Sequence, residues 1–239
     1  MIKLAISGAQ GRMGQRITYY ALKDKNFSVK TLLERENHPE VSNKVEGLNV
    51  TTDISELAGN DVLIEFTAPE ATVNHVKACR KNGVNMVIGT TGMTFGQIRE
   101  IKNASKDIAI VFSSNMSVGV NIMFKLTQMA AQKCGKNYTM NLTEAHHIHK
   151  KDAPSGTAKT IAEIAEQASK RKVQDIKSIR EGEIIGDHDI VFESDEDIIT
   201  ITHHAKTRDI FAKGSLVAAK FVAEKKSGLF TMQDVLGMS

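Results

Sequence analysis

The stretch Glu144-Ala145-His146-His147-Ile148-His149-Lys150-Lys151-Asp152-Ala153-Pro154-Ser155-Gly156-Thr157-Ala158 gathers the densest chemistry in the chain. Three histidines and two lysines precede a Ser-Gly-Thr turn that opens a helix. Helix-start amides with hydroxyls beside them bind a carboxylate, and cationic neighbours add attraction. A lysine in a partly closed, positively charged pocket can have its pKa lowered until it serves as an acid near neutrality. The plainer reading is a polar loop with a Ser/Thr helix cap. A cap alone does not require five basic side chains within six residues. A metal site is the sharper rival, since His146, His147 and His149, with His203 and His204, offer nitrogen ligands. Adjacent histidines on a strand point to opposite faces, however, and no clear carboxylate or cysteine completes a set. No metal is expected.

A second constellation lies at the start of the chain. Ile6-Ser7-Gly8-Ala9-Gln10-Gly11-Arg12-Met13-Gly14 closes one apolar run and opens a helical one. It departs from strict G-x-G-x-x-G, because Ala9 takes the place of the first glycine. Gly11 and Gly14 keep the places where backbone approaches a pyrophosphate and where the helix packs on its strand. Helix N-terminal amides then face the phosphates. Glu34, twenty residues beyond Gly14, can accept hydrogen bonds from adenosine ribose hydroxyls, as NAD requires. Arg35 beside it could pair with the 2′-phosphate of NADP. Having both implies NADH, NADPH or either as cofactor; a bare surface ion pair would leave their position unexplained. Gly89-Thr90-Thr91-Gly92 and Ser113-Ser114-Asn115-Met116 fall at the carboxyl ends of expected strands, where such sheets bind ligands, and could let a nicotinamide ring lie against backbone. By themselves they read equally well as loops.

The elements that must carry these groups change character along the chain. Ile2–Ser7, Phe27–Leu33, a short Leu48–Thr52, Asp61–Thr67, Val84–Ile88 and Ile108–Phe112 read as strands. Helical stretches such as Arg12–Leu22 separate them, and Pro69 sits where a first helical turn needs no amide hydrogen. Strands alternating with helices imply a parallel sheet, with Asp61–Thr67 buried on both faces. After Ser117 come a helix over Val120–Ala131, an alternating run over Tyr138–His147, a helix over Thr157–Lys170 and a hairpin of Ile190–Glu193 with Ile198–His203. The fold class expected is therefore α/β: a doubly wound Rossmann domain over residues 1–117, then a smaller α+β domain with a mixed or antiparallel sheet over 118–208. The segment 209–239, with a helix over Ala212–Lys225, is expected to return to the first domain.

Composition sets wide limits. The 239 residues are 41% hydrophobic and 25% charged, enough to form a core without metals or disulfides. Cys79 and Cys134 show no ligand spacing and read as small core residues of a reducing compartment. No leader-like segment opens the sequence and no apolar run approaches the ~20 residues of a membrane helix, so a cytoplasmic protein without a membrane partner is expected. A net charge of +3 spread along the chain argues against a nucleic-acid surface.

Taken in order, the motifs resemble one family closely. E-A-H-H-x-H-K-x-D-A-P-S-G-T-A is similar to the signature of the dihydrodipicolinate reductases, now named 4-hydroxy-tetrahydrodipicolinate reductases. So are G-A-x-G-R-M-G at Gly8–Gly14, Glu34-Arg35, Phe66-Thr67-x-Pro69-Glu70, Gly89-Thr90-Thr91-Gly92, Asn115-x-Ser117-x-Gly119-Val120-Asn121 and Arg208-x-x-Phe211-Ala212-x-Gly214. The resemblance implies NADH- or NADPH-dependent reduction of a cyclic dicarboxylate imine on the diaminopimelate route to lysine. It implies that Gly8, Ala9, Gln10, Gly11, Arg12, Met13, Glu34, Arg35, Gly89, Thr90, Thr91, Ser113, Ser114, Asn115 and Met116 hold the dinucleotide. It implies that His147, Ser155, Gly156, Thr157 and Arg208 hold the dicarboxylate, with Thr91 nearby, and that His146 and Lys150 are the acid–base pair. A homotetramer built through the second sheet is implied as well. Departures are Glu65 where Asp is expected, Ser113-Ser114, Met116 and Ile148, in a chain somewhat short for the family. A nucleotide-binding sensor would have no use for the acid–base cluster, and a metal-dependent hydrolase would ignore nicotinamide; a Rossmann dehydrogenase for another small acid is the milder rival.

Overall fold

The computed structural model describes residues 1–238; the last residue of the segment expected to return lies outside them. The chain divides into two compact units. One is Met1–Ser117 with the segment from Asp209 onward, and the other is Val118–Arg208.

In the first unit β1 (Ile2–Ser7), α1 (Arg12–Lys23), β2 (Phe27–Leu33), β3 (Val62–Glu65), α2 (Pro69–Asn82), β4 (Asn85–Ile88), α3 (Phe95–Ala104) and β5 (Ala109–Phe112) alternate. Every pairing among these strands is parallel. Period 2 sends alternate side chains to two different cores. Leu4, Ile6, Val62, Ile64, Val87 and Val111 join one cluster. Ala5, Leu63, Met86, Ile88 and Ile110 join the other, where Cys79 also lies. Near-continuous apolar runs are what a sheet covered on both faces requires. The expected strand at Leu48–Thr52 does not form. Thr51 makes one bridge to Leu33, and Leu48 pairs only with Val45. A turn at Glu46-Gly47, both at positive φ, folds the segment back on itself.

The second unit holds α4 (Val118–Lys133), β6 (Thr139–His146), α5 (Gly156–Ser169), β7 (Asp175–Arg180), β8 (Asp187–Glu193) and β9 (Ile198–His204). Its sheet runs β7-β6-β8-β9, with β7 parallel to β6 and the other pairs antiparallel. Met140 and Leu142 from β6, and Ile190 and Phe192 from β8, pack against Val120, Met123 and Phe124 of α4 and Ile161 and Ala165 of α5. β7 escaped the sequence reading because its Asp-Ile-Lys-Ser-Ile-Arg is polar and partly exposed. β8 also begins earlier than its apolar residues suggest, at Asp187.

The chain then adds α6 (Asp209–Ala223), β10 (Gly228–Phe230) and α7 (Met232–Val235) to the first unit. β10 pairs with β5 and completes a six-stranded sheet, β10-β5-β4-β3-β1-β2. α6 contributes Ala212, Leu216, Ala218, Ala219 and Val222 to the first core. Arg16 of α1 and Asp209 hold this return with two contacts of 2.6 and 2.8 Å, and Tyr20 donates to the same carboxylate at 2.7 Å.

Candidate active site

The glycine loop joins β1 to α1. Gly8 has φ +67°, and a Cβ there would lie 2.7 Å from the carbonyl oxygen of Phe66. A Cβ on Gly14 would lie 2.1 Å from the Gly8 carbonyl oxygen and 2.6 Å from Ala9 Cα. Helix and loop therefore touch backbone to backbone, as pyrophosphate binding requires. A cavity of about 510 Å³ opens beside them, bounded by Gly8, Gly11, Glu34, Arg35, Thr67 and His75. Glu34 accepts from the amides of Gln10 and Arg35 at 3.2 and 3.0 Å, while Arg35 is exposed. A cradle of bare backbone with a carboxylate and a guanidinium at its rim fits a dinucleotide.

The other expected cofactor residues fall into two groups. Arg12, Thr91 and Ser114 are exposed, and Met13, Gly89 and Ser113 are half-buried. Ala9, Gln10, Thr90, Asn115 and Met116 are buried. The Gln10 side chain bonds the carbonyls of Glu40 and Asn43. The Thr90 hydroxyl accepts from the Thr67 amide at 3.1 Å. These side chains shape the loops from behind, and what they can offer a ligand is backbone.

Beneath those loops lies Glu65, fully buried at the end of β3. Ser7 and Thr67 donate to it closely, and His75 Nδ1 lies 2.6 Å away. Burial pushes its carboxyl up, but His75 and the hydroxyls outweigh this and hold it below the usual range. Glu65 thus ties the ends of β1 and β3 to α2.

In the second unit, the alternation that buries Met140 and Leu142 continues along β6 to Glu144 and His146. β8 does the same with Phe192, Ile190 and His188. The covered face of the sheet therefore turns polar at one end. Glu144, fully buried, receives Arg180 at 2.8 and 3.0 Å, His146 Nδ1 at 2.5 Å and the Ser155 amide at 3.2 Å. Burial pushes the Glu144 carboxyl up, yet Arg180, Ser178 and His146 hold it down at about 2. Burial lowers the His146 pKa, against the pull of Glu144, with Lys150 and Arg180 lowering it further. His188 stands edge-on to His146 at 5.2 Å between ring centroids and contacts the Ser155 hydroxyl at 3.1 Å. Burial and the neighbouring His146 drive its pKa to about 4.

Ser155 is the cap of α5, its hydroxyl accepting from the Ala158 amide at 3.1 Å. With its own amide on Glu144, Ser155 is occupied by the protein, and Gly156 and Thr157 lead the first turn. Lys150 pairs with exposed Asp152 at 2.8 Å. His147 lies beside His149, at 6.1 Å between rings, with its Nδ1 buried and unpartnered. Arg208 is exposed just before α6. Among the described residues no group of three His, Cys, Asp or Glu is placed to hold a metal ion. Sequence reading missed Arg180 and His188, 36 and 44 residues from Glu144, because only strand register brings them together.

Two models of one family match the chain, "Dihydrodipicolinate reductase, N-terminus" over residues 2–116 and "Dihydrodipicolinate reductase, C-terminus" over 119–236. A 4-hydroxy-tetrahydrodipicolinate reductase of Nitrosomonas eutropha is 40% identical over 265 residues, covering 100% of this chain and 99% of the relative. That of Nitrosomonas europaea is 39% identical, covering 99% and 98%. Among solved structures, a dipicolinate-bound dihydrodipicolinate reductase from Paenisporosarcina sp. TG-14 superposes with a TM-score of 0.83 at 24% identity, covering 98% of each chain. GenD2 from gentamicin A biosynthesis, in complex with NAD, shares the fold at a TM-score of 0.67 and 11% identity. The chain belongs to the dihydrodipicolinate reductase family and is an NAD(P)H-dependent oxidoreductase.

Proposed function

We propose that this enzyme reduces 4-hydroxy-tetrahydrodipicolinate, by way of its dehydrated imine, to tetrahydrodipicolinate on the diaminopimelate route to L-lysine. The observation that carries the reading is one buried carboxylate, Glu144, joining an acid–base histidine to a helix start suited to a carboxylate. The first unit binds the dinucleotide, and Val118–Arg208 binds the substrate and builds the oligomer. NADH or NADPH, when bound, supplies the hydride. Gly8, Gly11 and the α1 amides take the pyrophosphate, Glu34 the ribose and Arg35 a 2′-phosphate. His147, the amides of Gly156 and Thr157, and Arg208 would orient the two substrate carboxylates and so fix the pose of the ring. Reduction of the dehydrated imine would put negative charge on the substrate nitrogen, which calls for a proton donor held beside it. His146 and Lys150 take up and deliver the protons as that charge develops.

Among the described residues no helix is long and apolar enough to cross a membrane. A cytoplasmic homotetramer with no nucleic-acid partner is the form proposed. The test follows oxidation of NADH and of NADPH, by the loss of the reduced nicotinamide absorbance, with freshly generated 4-hydroxy-tetrahydrodipicolinate. Turnover with either cofactor supports the reading, and none with both overturns it.

A further inference from the structure

We propose that Glu144 and Arg180 act together as positioning residues that hold His146 in one tautomer, with Nε2 as its working atom. The idea deepens the reductase reading and rests on it for the meaning of turnover. An ionised carboxylate only accepts hydrogen bonds, so a neutral ring 2.5 Å from Glu144 Oε2 must carry its proton on Nδ1. Nε2 is then the nitrogen that exchanges a proton with substrate. Gly186 lies over that nitrogen, and a Cβ there would sit 3.0 Å from Nε2 and 3.4 Å from Cδ2. Any side chain at 186 would crowd the working atom.

Arg180 makes the arrangement possible. A buried carboxylate without a counter-charge is costly and tends to take a proton itself. The guanidinium meets both Glu144 oxygens and donates to the Asp152 carbonyl at 2.5 Å, tying the carboxylate to the loop that carries Lys150. The remaining Glu144 contact, from the Ser155 amide, sets the start of α5 against the same anchor. The groups that act electrostatically on His146 are Glu144, Lys150 and Arg180, and His188 stands beside its ring. One carboxylate thus aligns the proton-transfer group with the substrate-binding turn, and its orienter comes from a different strand.

Two measurements test this. In wild-type protein labelled with 15N-histidine, two-bond 1H–15N correlation at about pH 7.5 should show His146 protonated on Nδ1, its signals assigned by their loss in His146→Gln. Protonation on Nε2 overturns the proposal, and this result does not depend on any variant at position 144 or 180 folding. In kinetics, Glu144→Gln should lower kcat about 10²-fold, the cost of a misplaced group, while affinity for pyridine-2,6-dicarboxylate changes less than about 3-fold. The acidic limb of kcat should move to lower pH in Glu144→Gln, because the charge favouring the protonated ring is gone. It should move to higher pH in Arg180→Gln, because a charge opposing it is gone. Limbs moving the same way, or a Glu144→Gln kcat within about 2-fold of wild type, overturn it. Absence of any nicotinamide-dependent turnover in wild type would sink the reductase reading, while the tautomer would still decide the role of the pair.

Discussion

Lys150, 2.8 Å from an exposed aspartate, and His146, 2.5 Å from a buried glutamate, are cations or bases of different kinds. The lysine is held by a partner that solvent can screen. The histidine is fixed. If both handle protons, Lys150→Ala and His146→Gln should each lower kcat by about 10²–10⁴-fold. NADH affinity, measured by calorimetry, should change little, and the double variant should fall short of the product of the singles. A folded Lys150→Ala enzyme with near-normal kcat would remove lysine from the chemistry. At the cofactor end, Arg35→Ala should weaken NADPH by roughly 10- to 150-fold, about 1.5–3 kcal/mol for one charged contact, and leave NADH nearly unaffected. Equal losses for both would take Arg35 out of that role. Thr157→Val should raise the substrate KM while dinucleotide binding stays intact, which titration with pyridine-2,6-dicarboxylate and NADH checks separately.

At the scale of elements, two features carry the sites. The first is the contact between the glycine loop and α1. Gly14→Ala drives a methyl group into the Gly8 carbonyl and Ala9 Cα, which are backbone and cannot rotate away. The variant should lose about 1–3 kcal/mol of stability in denaturant melts and lose dinucleotide binding with it. A variant that binds NADH normally would show that the loop tolerates a wider gap. The second feature is period 2 in β6 and β8, which extends an apolar face into Glu144, His146 and His188. The alternation over Tyr138–His147 was visible in the sequence. Which face was inward became clear only with α4 and α5 packed on Met140 and Leu142.

The whole molecule adds a pH dependence. His188 has an ordinary pKa of 6.5 and about 4 when folded, lowered first by burial. Above pH 6.5 the ring is neutral folded or unfolded and contributes nothing to the balance. Between 6.5 and about 4 the unfolded chain binds a proton that the folded one refuses, so stability falls with pH, by an amount on the order of 3 kcal/mol. Thermal melts of wild type should show that loss, and His188→Asn should show less of it; parallel curves would clear His188 of responsibility. Asp209 behaves differently. Its carboxyl is held at about 2 by Arg16 and Tyr20 against the cost of burial. Its contribution is present above the unfolded carboxylate range and disappears as pH falls through 2. Asp209→Asn should therefore lower the Tm at neutral pH, with the difference vanishing toward about pH 2.

Local patterns in the sequence determined a great deal. Apolar runs punctuated by glycines specified a doubly wound sheet, because strands buried on both faces have no other composition open to them. The glycine loop, the Glu34-Arg35 pair and the histidine–lysine stretch were legible because each lies within a few consecutive residues. Tertiary structure alone decided the rest. It gave β10 its place at the edge of the first sheet, three residues with no signal of their own. It withheld a strand from Leu48–Thr52, where a turn at positive φ folds the segment back. It also brought Arg180 and His188 to Glu144 through strand register, and register is a relation between distant segments that no local pattern contains.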